Sequence, residues 1–167
     1  GLIVWLILGG LAGARLYHVA NEWAYYQLHP DHILQVWRGG LAIHGALLAG
    51  LVMVIIYARR QKLSAMVLMD CLVPGLALGQ AIGRWGNYFN QELFGRPTNL
   101  PWGIPIDLIH RPAEFRLAEF FHPTFLYESL GTLVIVSLLV LLTRHQVTAA
   151  RRVRAGSVAL AYFLMYG

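Results

Sequence analysis

Four residues in the stretch 83–95, GRWGNYFNQELFG, have the types and spacing to do chemistry together. Arg84 offers a fixed cation, Asn87 and Asn90 offer amides, and Glu92 offers a carboxylate. They follow an apolar run long enough to sit in a bilayer. Desolvating such groups there is costly, so they face an interior or a water-filled cavity. A guanidinium fork matches phosphate oxygens two at a time, so the set suits a phosphate held at a membrane surface. Glycines at 83, 86 and 95 permit close helix approach or backbone angles closed to other residues. A polar helix end, capped and solvated at the interface, would carry the same residue types.

The elements that must position these groups are apolar. The chain has 167 residues, 57% of them hydrophobic and 13% charged, which is more apolar surface than a soluble domain of this length can hide. That excludes a soluble enzyme, and the formal charge of +5 reads as topology rather than as a nucleic-acid footprint. A single cysteine rules out an internal disulfide. The chain opens and stops inside hydrophobic segments, without a basic leader or a small-residue cleavage site. It therefore reads as an internal piece, cut at both ends, of a larger polytopic protein, with residues 1–167 as one integral-membrane domain.

The expected fold is all-α, a transmembrane helical bundle of four full spans and a truncated fifth, with interfacial segments and a long outer loop. Span one covers 2–20, and its Arg15 is expected to snorkel to the headgroups as an anchor. Residues 21–38 hold Trp23, Tyr25, Tyr26 and Trp37, an aromatic density that a membrane interface favours. Span two, 39–58, has no formal charge and one imidazole, His44, about 7–8 Å below its start. Span three, 63–83, carries Asp70, whose partner the sequence does not identify, then Pro74 and Gly75, which should loosen the helix. The loop between Gly95 and His122 is proline-rich, as binding loops and lids often are. Span four, 123–143, has Tyr127 and Glu128 in its first turns, an acid that a helix N-terminus alone would explain. Span five starts at Ala155.

Residues 59–62 and 144–154 hold seven of the thirteen Lys and Arg, so both connections are expected on the cytoplasmic side. His44, Arg84, Asn87, Glu92, Tyr127 and Glu128 then gather at the outer side. No Walker loop, HExxH, GxSxG or dinucleotide glycine pattern is present. His44, His110 and His122 lack the spacing of a metal site, so neither metal nor cofactor is expected.

GRWGNYFNQELFG closely resembles the signature of the bacterial prolipoprotein diacylglyceryl transferase family. The likeness extends to GGLAIHG at 39–45, RPTNLPWG at 96–103 and HPTFLYE at 122–128, in the family's order and spacing. Tyr88, where Phe is common, is a mild departure. The resemblance implies transfer of a diacylglyceryl group from phosphatidylglycerol to the lipobox cysteine of a prolipoprotein signal peptide. A thioether forms and glycerol phosphate leaves, in the bacterial cytoplasmic (inner) membrane with the active site toward the outer leaflet. Its partners would be that lipid, that peptide and the surrounding membrane lipid, with no nucleic acid.

Under this resemblance Arg84 grips the phosphate, while Asn87 and Asn90 hydrogen-bond glycerol or phosphate oxygens. Glu92 orients Arg84 or accepts the thiol proton. Gly95 matches a family glycine and allows close substrate approach, and Tyr127 donates to the headgroup. His44 matches the histidine proposed as general base, although a cation near the thiol could make a dedicated base unnecessary. A family tyrosine before Gly1 and an arginine–acid pair in the last span would fall outside the chain, so these residues alone are expected to be inactive. The competing reading is a transporter or channel fragment in which Arg84 and Glu92 line a path for an anionic solute. That reading calls for polar groups at several depths, and between His44 and Ala58 only Tyr57 is polar. A membrane scaffold would not explain four ordered motifs.

Overall fold

A computed structural model describes residues 1–148 and 154–166. Arg151 and Arg152, counted above in the second basic connection, lie outside the described residues. Helix dominates: α1 (Leu2–Asn21), α2 (Trp23–Tyr26), α3 (Ile43–Gln61), α4 (Ala65–Gly83), α5 (Trp85–Asn90), α6 (Thr124–Thr148) and α7 (Ser157–Tyr166). Among the described residues four stretches are long and apolar enough to cross a membrane: Leu2–Asn21, Ile43–Gln61, Ala65–Asn90 and Thr124–Arg144. These match the four expected spans, and the apolar α7 stands where the fifth was expected. The chain divides into two compact units, Gly1–Leu68 and Met69–Gly167.

In the first unit α1 and α3 pack antiparallel through small residues. A Cβ on Gly9 would meet Met53, one on Gly13 would meet Ala49, and one on Gly45 would meet Tyr17. These pairs recur every four residues along both helices, one rung per turn. The Gly13 and Gly45 backbones touch, the close approach on which helix association in lipid relies in place of a hydrophobic drive. Span two starts four residues later than expected. Gly39 and Gly40 have φ of 88° and 72°, outside the helical range, so α3 begins only at Ile43.

Arg15 corrects the sequence reading. It is 7% exposed and does not reach out to headgroups. Its Nε donates to Ile33 O (2.8 Å), Nη1 to Gly39 O (2.7 Å) and Gly40 O (2.9 Å), and Nη2 to His32 O (2.5 Å). The Tyr26 ring lies 5.2 Å from the guanidinium carbon. Residues 21–42 form only short helical turns, at Trp23–Tyr26, Pro30–Leu34 and Val36–Arg38, and one buried cation collects four of the carbonyls these turns leave over.

In the second unit Val73 and Ala77 of α4, Leu139 of α6 and Val158, Ala159 and Tyr162 of α7 form the core. Asp70 finds its partner here. Its carboxylate accepts from Gly156 N (2.7 Å) and Ala159 N (2.9 Å), so it caps α7 from a neighbouring helix. Further along, the Tyr162 hydroxyl donates to Gln80 Oε1 at 2.5 Å. The proline-rich loop is more ordered than its composition suggests. β1 (Ile104–Pro105) pairs antiparallel with β2 (Phe120–Phe121), and Pro97 bridges to Phe121 on the other side. Phe121 is fully buried and Ile106 nearly so, which gives this ribbon a small core of its own.

The helix contact in the first unit is directly testable. Gly45→Ala should destabilise the protein by about 1–3 kcal/mol, the range for overpacking. Gly50→Ala, on the same helix with open space around it, should be neutral or gain up to about 1 kcal/mol in helix propensity. Thermal unfolding of both variants in detergent separates the two, and equal Tm values would refute the rung geometry.

Candidate functional site

The second unit brings its predicted site residues into three small hydrogen-bond networks. Arg84 caps the start of α5, which lies against α6 through aromatic packing. Trp85 meets Phe125 edge-on at 5.4 Å, Tyr88 lies 5.1 Å from the same ring, and Trp85 Nε1 donates to Ser129 Oγ. This contact sets Arg84 against the first turns of α6. Its Nη2 lies 2.5 Å from Glu128 Oε2 and donates to the Tyr166 hydroxyl at 3.1 Å. Both protein partners fall on one nitrogen. Among the described residues Nε and Nη1 make no hydrogen bond, so two donor nitrogens are left for a ligand.

The second network follows from the end of α5. Gln91 takes a left-handed φ of 51°, Glu92 N donates to Asn87 O, and Gln91 N donates to Tyr88 O. This is a Schellman turn built without glycine. It folds the chain back so that Glu92 Oε1 accepts from Asn87 Nδ2 (3.2 Å) and Asn90 Nδ2 (3.0 Å). The carboxylate therefore fixes two amides, each with a second N–H to spare. Glu92 does not orient Arg84, as one sequence reading had it; Glu128 does.

Gln91 is held in its costly conformation by its own side chain. Its amide donates to Asp107 Oδ2 (3.0 Å) and accepts from Asp107 N (2.8 Å), with His110 Nδ1 at 3.1 Å. Left-handed backbone costs a residue with a Cβ about 1–2 kcal/mol, and these contacts offset it. Leu93 repeats the conformation with φ 51°.

Tyr127 centres the third network. Trp102 Nε1 donates to its hydroxyl at 2.8 Å, and the hydroxyl meets His122 Nδ1 at 3.1 Å. The phenol is thus engaged with the loop. Gly95 N donates to His122 O, and a Cβ at Gly95 would sit 2.8 Å from the His122 Cβ. The close approach that requires glycine here comes from the chain itself. Gly83 and Gly86 have no such neighbour.

His44 belongs to the first unit, in the first turn of α3. It is exposed and makes no hydrogen bond among the described residues, and the Tyr17 ring lies 6.0 Å away.

Sequence reasoning gave no site role to two contributors, Glu128, which it only grouped at the outer side, and Tyr166. Glu128 had a sufficient explanation at a helix start, and Tyr166 sits in an apolar run with no polar neighbour to signal it. Only the tertiary contact with Arg84 gives either a role.

The family model described as prolipoprotein diacylglyceryl transferase matches residues 1–167. Three curated relatives are each named phosphatidylglycerol–prolipoprotein diacylglyceryl transferase. That of Synechococcus elongatus is 48% identical over 165 residues, covering 99% of this chain and 57% of its own length. The Acaryochloris marina protein is 45% identical, with 99% and 59% covered. The Trichormus variabilis protein is 43% identical, with 99% and 58% covered. The chain thus spans less than two thirds of the length of these relatives. The likeness over the whole chain and the four apolar spans make this a multi-pass membrane protein, and the chain belongs to the prolipoprotein diacylglyceryl transferase family.

Proposed function

We propose that the protein transfers the diacylglyceryl group of phosphatidylglycerol to the thiol of a lipobox cysteine in a prolipoprotein signal peptide. The observation that carries this reading is the Arg84 guanidinium, partly exposed, anchored through one nitrogen and open through the other two. A phosphodiester oxygen would accept a charge-assisted hydrogen bond from either of those donors. The cysteine sulfur attacks the glyceryl carbon bonded to the phosphate oxygen, and that C–O bond breaks as the C–S bond forms. Glycerol phosphate leaves with the electron pair, and Arg84 stabilises the charge that develops on it. The thiol proton goes to a base, for which His44 or Glu92 has a free acceptor atom. Asn87 and Asn90, held by Glu92, hydrogen-bond the glycerol end through their spare N–H groups and carbonyls. Gly95 and Tyr127 tie the outer loop to the start of α6, which keeps Glu128 facing Arg84.

The same reading puts the protein in the bacterial cytoplasmic membrane with Arg84 toward the outer leaflet. The basic connection at 59–62 and Arg144 support it, since short cytoplasmic connections collect Lys and Arg. The names of the three relatives support both substrates.

Activity is checked with the intact protein in membranes containing phosphatidylglycerol and a lipobox peptide as acceptor, following the mass gain on the peptide cysteine. Arg84→Ala should abolish transfer. Arg84→Lys, which keeps charge but loses the fork, should still cost at least about tenfold in kcat/KM, or about 1.4 kcal/mol. No mass gain with the unaltered protein would refute the transferase reading. Glu128→Gln keeps an acceptor for Arg84 but removes the competing charge, so it should lower KM for phosphatidylglycerol; a raised KM would contradict that role.

His44→Gln should reduce kcat by about 10²–10⁴-fold, the usual worth of a general base. Full turnover in this variant would retire His44 as base and leave Glu92 as the proton acceptor.

A further inference from the structure

Glu92 stands between two residues with left-handed backbone, Gln91 and Leu93, each with φ 51°. A residue with a Cβ is disfavoured there, so both need holding, and each is held from outside α5. The Leu93 carbonyl accepts from the Thr124 hydroxyl at the start of α6. Gln91 is held by the outer loop. Its Nε2 donates to Asp107 Oδ2 at 3.0 Å, and its Oε1 accepts from Asp107 N at 2.8 Å and lies 3.1 Å from His110 Nδ1.

We propose, on the transferase reading, that Gln91 and Asp107 are positioning residues for the reaction. Their two hydrogen bonds latch the turn that folds Glu92 back onto Asn87 and Asn90, and so keep those amides set for the glycerol end of the lipid. Neither residue meets the reacting atoms; both act through Glu92.

The loop end of the latch is firmly placed. Asp107 lies just past β1, and its neighbour Ile106 is 2% exposed. Ile106 N donates to Glu119 O at 3.2 Å, Ile106 O accepts from Arg111 Nε at 2.6 Å, and His110 N returns to Asp107 O at 2.9 Å. The backbone at Asp107 is therefore fixed by the ribbon, while its side chain is exposed. A primary amide has one donor end and one acceptor end, and Asp107 supplies the complement of each.

The demand on Gln91 is therefore conformational. With the latch gone and a Cβ kept, the turn opens toward right-handed backbone, the Glu92 carboxylate leaves the two amides, and the lipid is held less well. Glycine takes this φ at no steric cost and needs no latch. A mere tether between the loop and α5 would give the opposite ranking, with glycine at least as harmful as alanine.

The test uses the intact protein in phosphatidylcholine membranes of graded phosphatidylglycerol content, with the lipobox peptide as acceptor. Gln91→Ala should raise KM for phosphatidylglycerol at least about fivefold, the scale on which left-handed backbone disfavours a Cβ, and leave KM for the peptide unchanged. Gln91→Gly should recover KM to within about twofold of the unaltered protein. Asp107→Ala, an exposed change, removes one of the two bonds and should raise KM about twofold or more, and adding Gln91→Gly should suppress that rise. The Glu92 amide, which donates to Asn87 O at 3.0 Å, gives a readout independent of activity. Corrected for intrinsic rate, its hydrogen should exchange at least about fivefold faster in Gln91→Ala than in Gln91→Gly. Glycine no better than alanine in either readout, or the two KM values rising together, would overturn the proposal. No mass gain with the unaltered protein instead removes the transferase reading, and amide exchange then decides the latch by itself.

Discussion

Hydrocarbon cannot hydrogen-bond a peptide group, and each one left unpaired there costs several kcal/mol. Irregular backbone near such a solvent therefore needs a partner brought to it. This protein brings ions. Arg15 collects four carbonyls of the 21–42 connection, and Asp70 collects two amides at the start of α7. In both cases a charge that would be expensive in lipid is neutralised by backbone dipoles, and the backbone is satisfied by the charge. Either group alone would be unfavourable at its position; together they allow a non-helical turn and a helix start beside apolar surface.

Arg84 differs in the kind of partner it has. Glu128 and Tyr166 are side chains, they meet a single nitrogen, and the group remains partly exposed. A structural cation such as Arg15 has four of its five donors spoken for. Arg84 has been oriented but not used up, the condition for meeting a ligand without first breaking the fold. Asn87 and Asn90 show the same economy: Glu92 fixes one N–H of each and leaves the other.

Much of the architecture is legible in the sequence because lipid imposes a crude pattern. A run of about twenty apolar residues between basic or aromatic flanks has few alternatives, and the four spans follow from that alone. The site was legible as a set of residue types, since charges and amides after an apolar run must serve some purpose. Pairing was not legible. Whether Glu92 or Glu128 faces Arg84 depends on how α5 lies against α6, and that is decided by Trp85, Tyr88 and Phe125, whose residue types suit any membrane helix. Arg15 was misread because position near a helix end predicts snorkelling unless a folded connection covers it. The ribbon at 104–121 was hidden because prolines suggest disorder, whereas here Pro97 and Pro105 sit on the outer edges of a pairing centred on Phe121.

The stitching of the outer loop to α6 bears on how the second unit can move. Gly95 is bonded to His122, Trp102 and His122 both hold Tyr127, and Thr124 Oγ1 reaches back to Leu93 O. Glu128 is the next residue along the chain from Tyr127. No free hinge separates the loop from the carboxylate that steadies the guanidinium. A force applied at the loop surface is therefore delivered to the Arg84–Glu128 pair, so the loop is placed as a lever on that pair rather than as a cover over it.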